Sequence, residues 1–270
     1  MCGIIADYTS LKIGGRAEIF IIDSEDKISS AFAEKCVVLG KGTNVLVSDK
    51  GIAERVVINR LRGISFDKNF VTVASGESLP NLCRECAKRS LSGLEWACGI
   101  PGSVGGAVIM NAGAFGGQTA GVIEEVKVLT HDGDEVILRQ SECGFSYRSS
   151  QINGFVISAK LKLMFSDEQC VLEKMRETAK ARSRTQPTGK SAGCTFKNQG
   201  LGAGYYIERA GLKGARCGGA RISEKHANFI INDSGASASD VLALIEKTER
   251  DVYARFGIKL QREIKLLGEF

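Results

Sequence analysis

The order and length of the apolar segments predict an α+β fold. Strands are predicted by short β-branched runs bounded by Gly, Asp, Asn or Ser: CVVLG, NVLVS, RVVIN, FVTVAS, KVLT, EVILR and FVISAKLKLMF. Helices are predicted by longer segments with apolar residues at helical spacing: SLPNLCRECAKRSL, DEQCVLEKMRETAKARSR, GAGYYIERAGL and SASDVLALIEKTERDVYARFG. Because strands and helices do not alternate strictly, α+β is favoured over a doubly wound sheet.

The last of these helices has the clearest pattern. Ser239 is the predicted N-cap, and Gly257 is predicted to end the helix. The apolar side chains that would form its buried face are Val241, Leu242, Leu244, Ile245, Thr248, Val252, Tyr253 and Phe256. A domain boundary is predicted near QPTGK (186–190), where a long helix ends and the composition shifts to Gly, Ser and Lys.

Composition indicates an ordinary soluble globular chain, with 43% hydrophobic and 25% charged residues among 270. The net charge of +5 comes from basic residues spread along the chain, which disfavours nucleic acid as a partner. No apolar run approaches the roughly 20 residues that cross a bilayer, and MCGIIADYTS lacks the features of a signal peptide. We therefore expect a cytoplasmic protein with reduced thiols and no membrane partner.

Cysteine usage is high, with nine residues at irregular spacing. Cys83 and Cys86 have the two-residue gap of a zinc or redox pair, but no second pair or histidine follows nearby. The pair is predicted to lie on one turn of a helix, and no metal site is expected.

Two glycine-rich segments point to a ligand that contacts the main chain. In VVLGKGTNVLVS (37–48), Gly40 and Gly42 lie between two strands and precede Thr43 and Asn44, so the backbone N–H groups could converge on an anion. The segment matches neither a Rossmann fingerprint nor a Walker loop. A simple turn between strands is the alternative.

The second segment, GLEWACGIPGSVGGAVIMNAGAFGG (93–117), has more glycine than an efficient core allows, because glycine costs backbone entropy on folding. The N–H groups of Gly102–Gly106 could surround a pyrophosphate, and Ser103 could add a hydrogen bond. A loop that only packs tightly is the alternative.

Several motifs, in this order, resemble those of the UDP-N-acetylenolpyruvoylglucosamine reductase family, in its shorter subtype. The motifs span nearly the whole chain: YTSLKIGGRAE (8–18), LGKGTNVLVS (39–48), the second glycine segment, FSYRSS (145–150), SAGCTFKN (191–198), GARCGGARISEKHANFIIN (214–232) and FGIKLQREIKLLG (256–268). The resemblance implies a flavin enzyme of peptidoglycan precursor synthesis that uses FAD, with NADPH as reductant.

The family's fold would be a vanillyl-alcohol-oxidase (PCMH) type FAD-binding fold of two subdomains, here 1–60 and 61–186. A C-terminal α+β substrate domain, 187–270, would follow. The residues that match the family's FAD contacts are Gly40, Lys41, Gly42, Thr43, Asn44, Val45, Leu46, Gly99, Ile100, Pro101, Gly102, Ser103, Gly105, Gly106, Ala107, Asn111 and Gly113.

The resemblance also implies the chemistry. Hydride would add to the vinyl group of UDP-N-acetylglucosamine enolpyruvate, and the resulting charge would spread into the adjacent carboxylate. Cys194 stands where the family usually has a serine proton donor, and a thiol with an ordinary pKa of about 8.5 is the stronger acid. Arg148 matches the arginine that holds the carboxylate, and Glu263 matches a carboxyl that helps to stabilise the charge. Tyr147, Lys197 and Asn198 fall in segments near the substrate.

The residues are also compatible with other functions. Cys194 could serve a thiol hydrolase or transferase with His131 or His226 as its base, although neither histidine lies in a motif that suggests this. The chain could instead be a non-catalytic nucleotide-binding module, or a flavin oxidase with another substrate. We expect a monomer whose partner is a small-molecule substrate.

Overall fold

The computed structural model describes residues 1–32 and 35–270, which divide into two compact units. The terminal unit consists of Met1–Glu18, Gly42–Glu54 and Ser183–Phe270. The central unit consists of Ile19–Lys41 and Arg55–Arg182. This division crosses the predicted range 1–60, and the three predicted domain ranges stay predictions.

The strands are distributed along the chain, and six α-helices and five short 3-10 helices are interspersed among the described residues. The strands are β1 (Cys2–Ile4), β2 (Arg16–Ile22), β3 (Cys36–Leu39), β4 (Val45–Val47), β5 (Arg55–Asn59), β6 (Ile64–Asp67), β7 (Phe70–Ala74), β8 (Leu91–Ser92), β9 (Gly113–Ala114), β10 (Gly117–Gln118), β11 (Ile123–Leu129), β12 (Glu135–Arg139), β13 (Phe155–Lys162), β14 (Met164–Phe165), β15 (Lys190–Cys194), β16 (Arg216–Cys217), β17 (Ala220–Ile222), β18 (Phe229–Asn232) and β19 (Lys265–Leu267). The helices are α1 (Ile28–Phe32), α2 (Leu79–Ala87), α3 (Val104–Ile109), α4 (Glu168–Thr185), α5 (Ala203–Arg209) and α6 (Ala238–Phe256). Each predicted strand run and helical segment contains an element of the predicted type, which confirms the α+β class.

The central unit contains two larger sheets, besides the two-stranded pairs β9–β10 and β8–β14. The later part of β2 pairs in parallel with β5, which pairs in parallel with β3 on its other side. A five-stranded antiparallel sheet has the order β12-β11-β13-β7-β6. Its apolar face and the inward faces of α2 and α3 form one core, in which Leu82, Val108 and Val126 are fully buried. The glycine-rich segment around α3 therefore rests on a packed layer.

The terminal unit has a four-stranded antiparallel sheet of order β15-β18-β17-β16. The core of the unit includes Ile222 and Ile230 from that sheet and Val241, Leu244 and Ile245 from α6. Elsewhere in the unit, β19 pairs in parallel with β4, and β1 pairs with the first residues of β2.

Helix α6 corrects two details of the sequence prediction. Its N-cap is Ser237, not Ser239, because Ser237 Oγ accepts from the Asp240 N–H at 3.0 Å and Asp240 Oδ2 accepts from the Ser237 N–H at 3.0 Å. Tyr253 is 52% exposed and lies off the buried face, one residue after the fully buried Val252. Gly257 ends the helix as predicted, in the left-handed conformation with φ of 68°.

All nine cysteines are free thiols. Cys83 and Cys86 lie in α2, one turn apart, as predicted, and both are buried. Burial raises the pKa of the Cys86 thiol to about 12. Within residues 1–32 and 35–270, no three His, Cys, Asp or Glu side chains form a group that could hold a metal ion. Of the described helices, none has the length and apolar character needed to cross a membrane.

Candidate active site

The glycine-rich segment of the central unit is held to the segment that follows β7. The N–H groups of Val104 and Gly105 donate to the carbonyls of Glu77 and Ser75 at 2.9 and 2.7 Å, and Gly102 N–H donates within its own segment at 2.8 Å. Contrary to the expectation of an open cradle, these donors already have protein acceptors. Sequence reasoning missed Ser75 and Glu77, although small and polar residues directly after a strand were a visible signal.

The two glycine loops meet within the central unit. A Cβ at Gly40, at the end of β3, would overlap Ser103 Oγ. Ser103 is the N-cap of α3, and its Oγ accepts from the Gly106 N–H at 3.3 Å. A Cβ at Gly105 would lie only 2.9 Å from Ser75 Cβ. Glycine is therefore required where the loops pack, because a side chain would push them apart.

Three residues predicted to bind the cofactor have side chains that are buried or hydrogen bonded within the protein. Leu46 is fully buried in the core of the terminal unit, and Ala107 is buried in that of the central unit. Asn111 is 2% exposed, and its amide donates to Ser146 O at 2.9 Å and accepts from the Ala120 N–H at 3.0 Å. Any contact they make with a ligand would come from the main chain, and the assignment of the cofactor-binding residues stays a prediction.

The first glycine loop offers open donors in the terminal unit. Gly42 has a φ of 59°, and a Cβ there would overlap the Tyr8 carbonyl. Ser10 N–H donates to Gly42 O at 3.0 Å and holds the turn. Within the described ranges, the N–H groups of Gly42, Thr43 and Asn44 donate to no protein acceptor. Successive N–H groups of this kind can bind an anion such as a phosphate.

Arg148 lies in a tight turn of the central unit. Ser146 and Ser149 exchange backbone hydrogen bonds of 2.9 and 3.3 Å, and Arg148 between them has a φ of 57°. Its Nη2 donates to Gly113 O at 2.6 Å, and its guanidinium carbon lies 5.1 Å from the centre of the Tyr147 ring. The structure thus brings together Arg148, Tyr147 and Gly113, which the sequence assigned to substrate and cofactor.

Cys194 is the last residue of β15, where the strand has a bulge. The pairing of β15 with β18 shifts register between Ser191 and Cys194, and Gly193 in between has a φ of 75°. The Cys194 side chain is half-buried. Bulges commonly redirect a side chain at the edge of a sheet, and this one determines the direction in which the Cys194 thiol points.

Asn228 holds the segment that follows Cys194. Its carbonyl accepts from the Thr195 N–H at 2.8 Å. Its side chain accepts from the Phe196 N–H at 2.9 Å and donates to Phe196 O at 2.8 Å. Asn228 is 1% exposed, so these bonds satisfy polar groups that are shielded from water. Sequence reasoning missed this residue; its position in HANFIIN, one residue before a strand, was the available signal.

Glu263 lies in the same hydrogen-bonded assembly of the terminal unit. Its N–H donates to Thr195 O at 2.8 Å, and its carbonyl accepts from Asn44 Nδ2 at 3.1 Å. The preceding residue, Arg262, donates from Nε and Nη2 to both Glu249 oxygens at 2.6 Å. A backbone hydrogen bond therefore links the Cys194 segment to the Glu263 segment, and the Asn44 side chain links the Glu263 segment to the first glycine loop.

The predicted substrate residues Lys197 and Asn198 continue from this assembly. Lys197 N–H donates to Gln261 O at 2.8 Å, and Asn198 Oδ1 accepts from the Ala203 N–H at 3.2 Å. The backbone of Lys197 is thus held close to the Glu263 segment.

The histidines lend no support to a thiol hydrolase. His226 Nδ1 accepts from the Asn228 N–H at 3.3 Å, which places the proton of the neutral imidazole on Nε2. Burial lowers the pKa of His226 and so favours that neutral form. An imidazole whose acceptor nitrogen is occupied cannot take a proton from Cys194. His131 stacks on Phe32 with a centroid distance of 4.7 Å.

Comparisons with known proteins identify the family. Residues 185–267 match the C-terminal domain of UDP-N-acetylenolpyruvoylglucosamine reductase, and residues 26–139 match an FAD binding domain. The reductase of Trichormus variabilis is 40% identical, with 99% of this chain and 86% of that protein covered. The reductase of Lachnoclostridium phytofermentans is 40% identical, with 98% and 91% covered. The crystal structure of the Thermus caldophilus reductase matches with a TM-score of 0.89 at 40% identity, over 99% of this chain and 98% of that one.

The described residues fit FAD, because Gly42, Thr43 and Asn44 provide open N–H donors for phosphate. The match to an FAD binding domain covers the second glycine segment, and the fold is of the FAD-binding α+β type. This chain therefore belongs to the UDP-N-acetylenolpyruvoylglucosamine reductase family and is an FAD-binding oxidoreductase.

Proposed function

We propose that Arg148, Cys194 and Glu263 carry the chemistry by which this chain reduces UDP-N-acetylglucosamine enolpyruvate to UDP-N-acetylmuramate in peptidoglycan precursor synthesis, with NADPH as reductant. Bound FAD supplies the means to accept hydride from NADPH and to deliver it to the vinyl group of the substrate. The observation that carries the proposal is the assembly in which Thr195 O, next to Cys194, accepts from the Glu263 N–H while Asn44 donates to Glu263 O.

Cys194 acts as the proton donor. Addition of hydride to the outer vinyl carbon leaves negative charge on the carbon beside the carboxylate, and that carbon must gain a proton. The Cys194 thiol donates its proton there, as a general acid. The bulge at Gly193 and the bonds from Asn228 support this role, because they fix the backbone on both sides of the thiol.

Arg148 and Glu263 stabilise the charge that develops. A guanidinium is always charged and can bind a carboxylate through two N–H donors. The bond from Arg148 Nη2 to Gly113 O supports this role because it restrains the plane of the guanidinium. Both main-chain polar groups of Glu263 are hydrogen bonded, so its carboxyl extends from a fixed point. Groups that are positioned in advance stabilise a transition state without the cost of reorganisation.

The remaining site residues would bind cofactor and substrate. Gly42, Thr43 and Asn44 would hold FAD phosphate oxygens through their main-chain N–H groups. Lys197 offers a positive charge for the diphosphate of the substrate, with its backbone held at Gln261, and Asn198 lies beside it.

Anaerobic measurement of the two half-reactions tests the assignment of Cys194. In Cys194→Ala, we expect NADPH to bleach the flavin absorbance at the wild-type rate. Recovery of that absorbance on addition of the enolpyruvyl sugar should slow by about 10²–10⁴-fold, the usual contribution of a general acid. Cys194→Ser keeps a donor and should retain substantial activity. Wild-type recovery in the alanine variant, or equal slowing of both half-reactions, would contradict the role.

We also infer that the enzyme acts in the cytoplasm as a monomer, without nucleic acid. NADPH and nucleotide sugars are intracellular metabolites, and the basic residues are dispersed along the sequence. Sedimentation velocity of the purified holoenzyme tests the monomer, and a concentration-dependent dimer would refute it.

A further inference from the structure

Arg148 depends for its position on a short hairpin of the central unit. The hairpin pairs Ala114 with Gly117 and Gly113 with Gln118. Gly113 O is the acceptor of the 2.6 Å bond from Arg148 Nη2. Any displacement of the hairpin therefore moves the group that restrains the guanidinium.

The hairpin packs so closely against the indole ring of Trp96 that no side-chain atom fits between them. A Cβ at Gly117 would overlap the five-membered ring of Trp96 and would lie 2.8 Å from its Nε1. Trp96 is 8% exposed, and its Nε1 donates to Gly93 O at 3.0 Å. The ring cannot retreat without losing this bond and disturbing the core.

A displacement of Gly117 would also displace Gly113, because the two residues lie in close contact across the hairpin. A Cβ at Gly113 would lie 2.6 Å from Gly117 O and 3.2 Å from Arg148 Nη1, so the two strands and the guanidinium are in close contact. Asn111 holds the other side, because its amide donates to Ser146 O in the Arg148 turn. The guanidinium is thus fixed between a braced turn and a hairpin that rests on Trp96.

We propose that Trp96 and Gly117 are positioning residues for the reaction, which set the placement of the Arg148 guanidinium through the carbonyl of Gly113. The inference rests on the proposed role of Arg148 at the substrate carboxylate. Neither residue needs to touch the substrate. Their contact instead determines where Arg148 can bind it.

Gly117→Ala tests the proposal in the holoenzyme. The added methyl group must push the hairpin away from Trp96, and misplacement of a catalytic group by about 1 Å can cost up to about 100-fold in rate. We expect substrate-dependent recovery of the flavin absorbance to slow by about 10- to 100-fold, while bleaching by NADPH stays near wild type. Calorimetric affinity of the oxidised holoenzyme for the enolpyruvyl sugar should also weaken.

A double variant distinguishes a positioning role from general destabilisation of the protein. Trp96→Leu removes the ring that the new methyl group meets, so Gly117→Ala combined with Trp96→Leu should recover substrate-dependent rate relative to Gly117→Ala alone. Gly121→Ala is the matched control, because a Cβ at this exposed position meets nothing within 4 Å. If Gly117→Ala does not fold, Trp96→Phe replaces it: this smaller ring lacks the indole N–H and should slow only the substrate step.

Three results would overturn the proposal: wild-type behaviour of Gly117→Ala, equal slowing of both half-reactions, or no recovery in the double variant. Arg148→Lys, measured alongside, keeps the charge but loses the two-donor geometry. If this variant leaves the substrate step unchanged, the assigned role of Arg148 is wrong. If it slows that step while Gly117→Ala does not, only the positioning inference is wrong.

Discussion

Replacement of Asn228 by alanine should destabilise the terminal unit and impair proton donation together. The change removes the two side-chain hydrogen bonds of 2.9 and 2.8 Å that satisfy the N–H and carbonyl of Phe196. Both groups lie beside a residue that is 1% exposed, so water cannot easily replace the lost partner. A buried polar group without a partner costs about 1–3 kcal/mol, so the two groups together should lower the free energy of unfolding by about 2–6 kcal/mol.

The functional consequence follows from the position of Phe196, two residues after Cys194. Loss of its anchor should let the segment shift, so recovery of the flavin absorbance with the enolpyruvyl sugar should slow. Bleaching of the flavin absorbance by NADPH should keep its wild-type rate. Urea denaturation provides the stability, and anaerobic stopped-flow absorbance provides the two half-reactions. Wild-type stability in Asn228→Ala would refute the reasoning about buried partners.

Asn232 provides a matched control in the same unit. It is 7% exposed, and its side chain donates to Leu11 O and accepts from the Ala236 N–H, both at 2.8 Å. Asn232→Ala should therefore cost a similar free energy of unfolding but leave the substrate step near wild type under native conditions. If both variants slow that step equally, Asn228 has only a structural role.

Further variants and conditions give distinct expectations. Gly193→Ala forces a φ of 75° on a residue with a side chain. We therefore expect the free energy of unfolding, measured by urea denaturation, to fall by about 1–3 kcal/mol and the substrate step to slow. Unchanged values would show that the bulge tolerates a side chain. Burial lowers the folded-state pKa of His226, so the unfolded chain binds the extra proton and stability should fall as the pH drops from about 6.5. His226→Asn should flatten that dependence, and an identical pH profile would contradict it. At pH 8, iodoacetamide should modify the exposed Cys170 rapidly and the buried Cys86, with its pKa of about 12, only after unfolding; rapid modification of Cys86, detected by mass spectrometry, would contradict its burial.

Local pattern was sufficient for the strand runs and helices that were predicted, but β2, α3 and the strands β15–β17 of the terminal unit were not predicted. The runs CVVLG and RVVIN form β3 and β5, and the helical segment around Val241 forms α6. Apolar periodicity and turn residues predict such elements because both depend on only a few neighbouring residues. The pattern failed at details decided by contacts. Ser239 was a plausible cap by residue type, but Ser237 could form the reciprocal bonds with Asp240.

The sequence by itself determined the family, the FAD-binding α+β fold and the identity of the candidate residues, because these are carried by motifs that can be read without coordinates. Only the tertiary structure decided which donors are available and what holds each group. It showed that the N–H groups of Val104 and Gly105 already have acceptors, whereas those of Gly42 and Thr43 have none among the residues that the structure describes. It also revealed the brace from Asn228, since a hydrogen bond across distant segments depends on packing that no local pattern encodes.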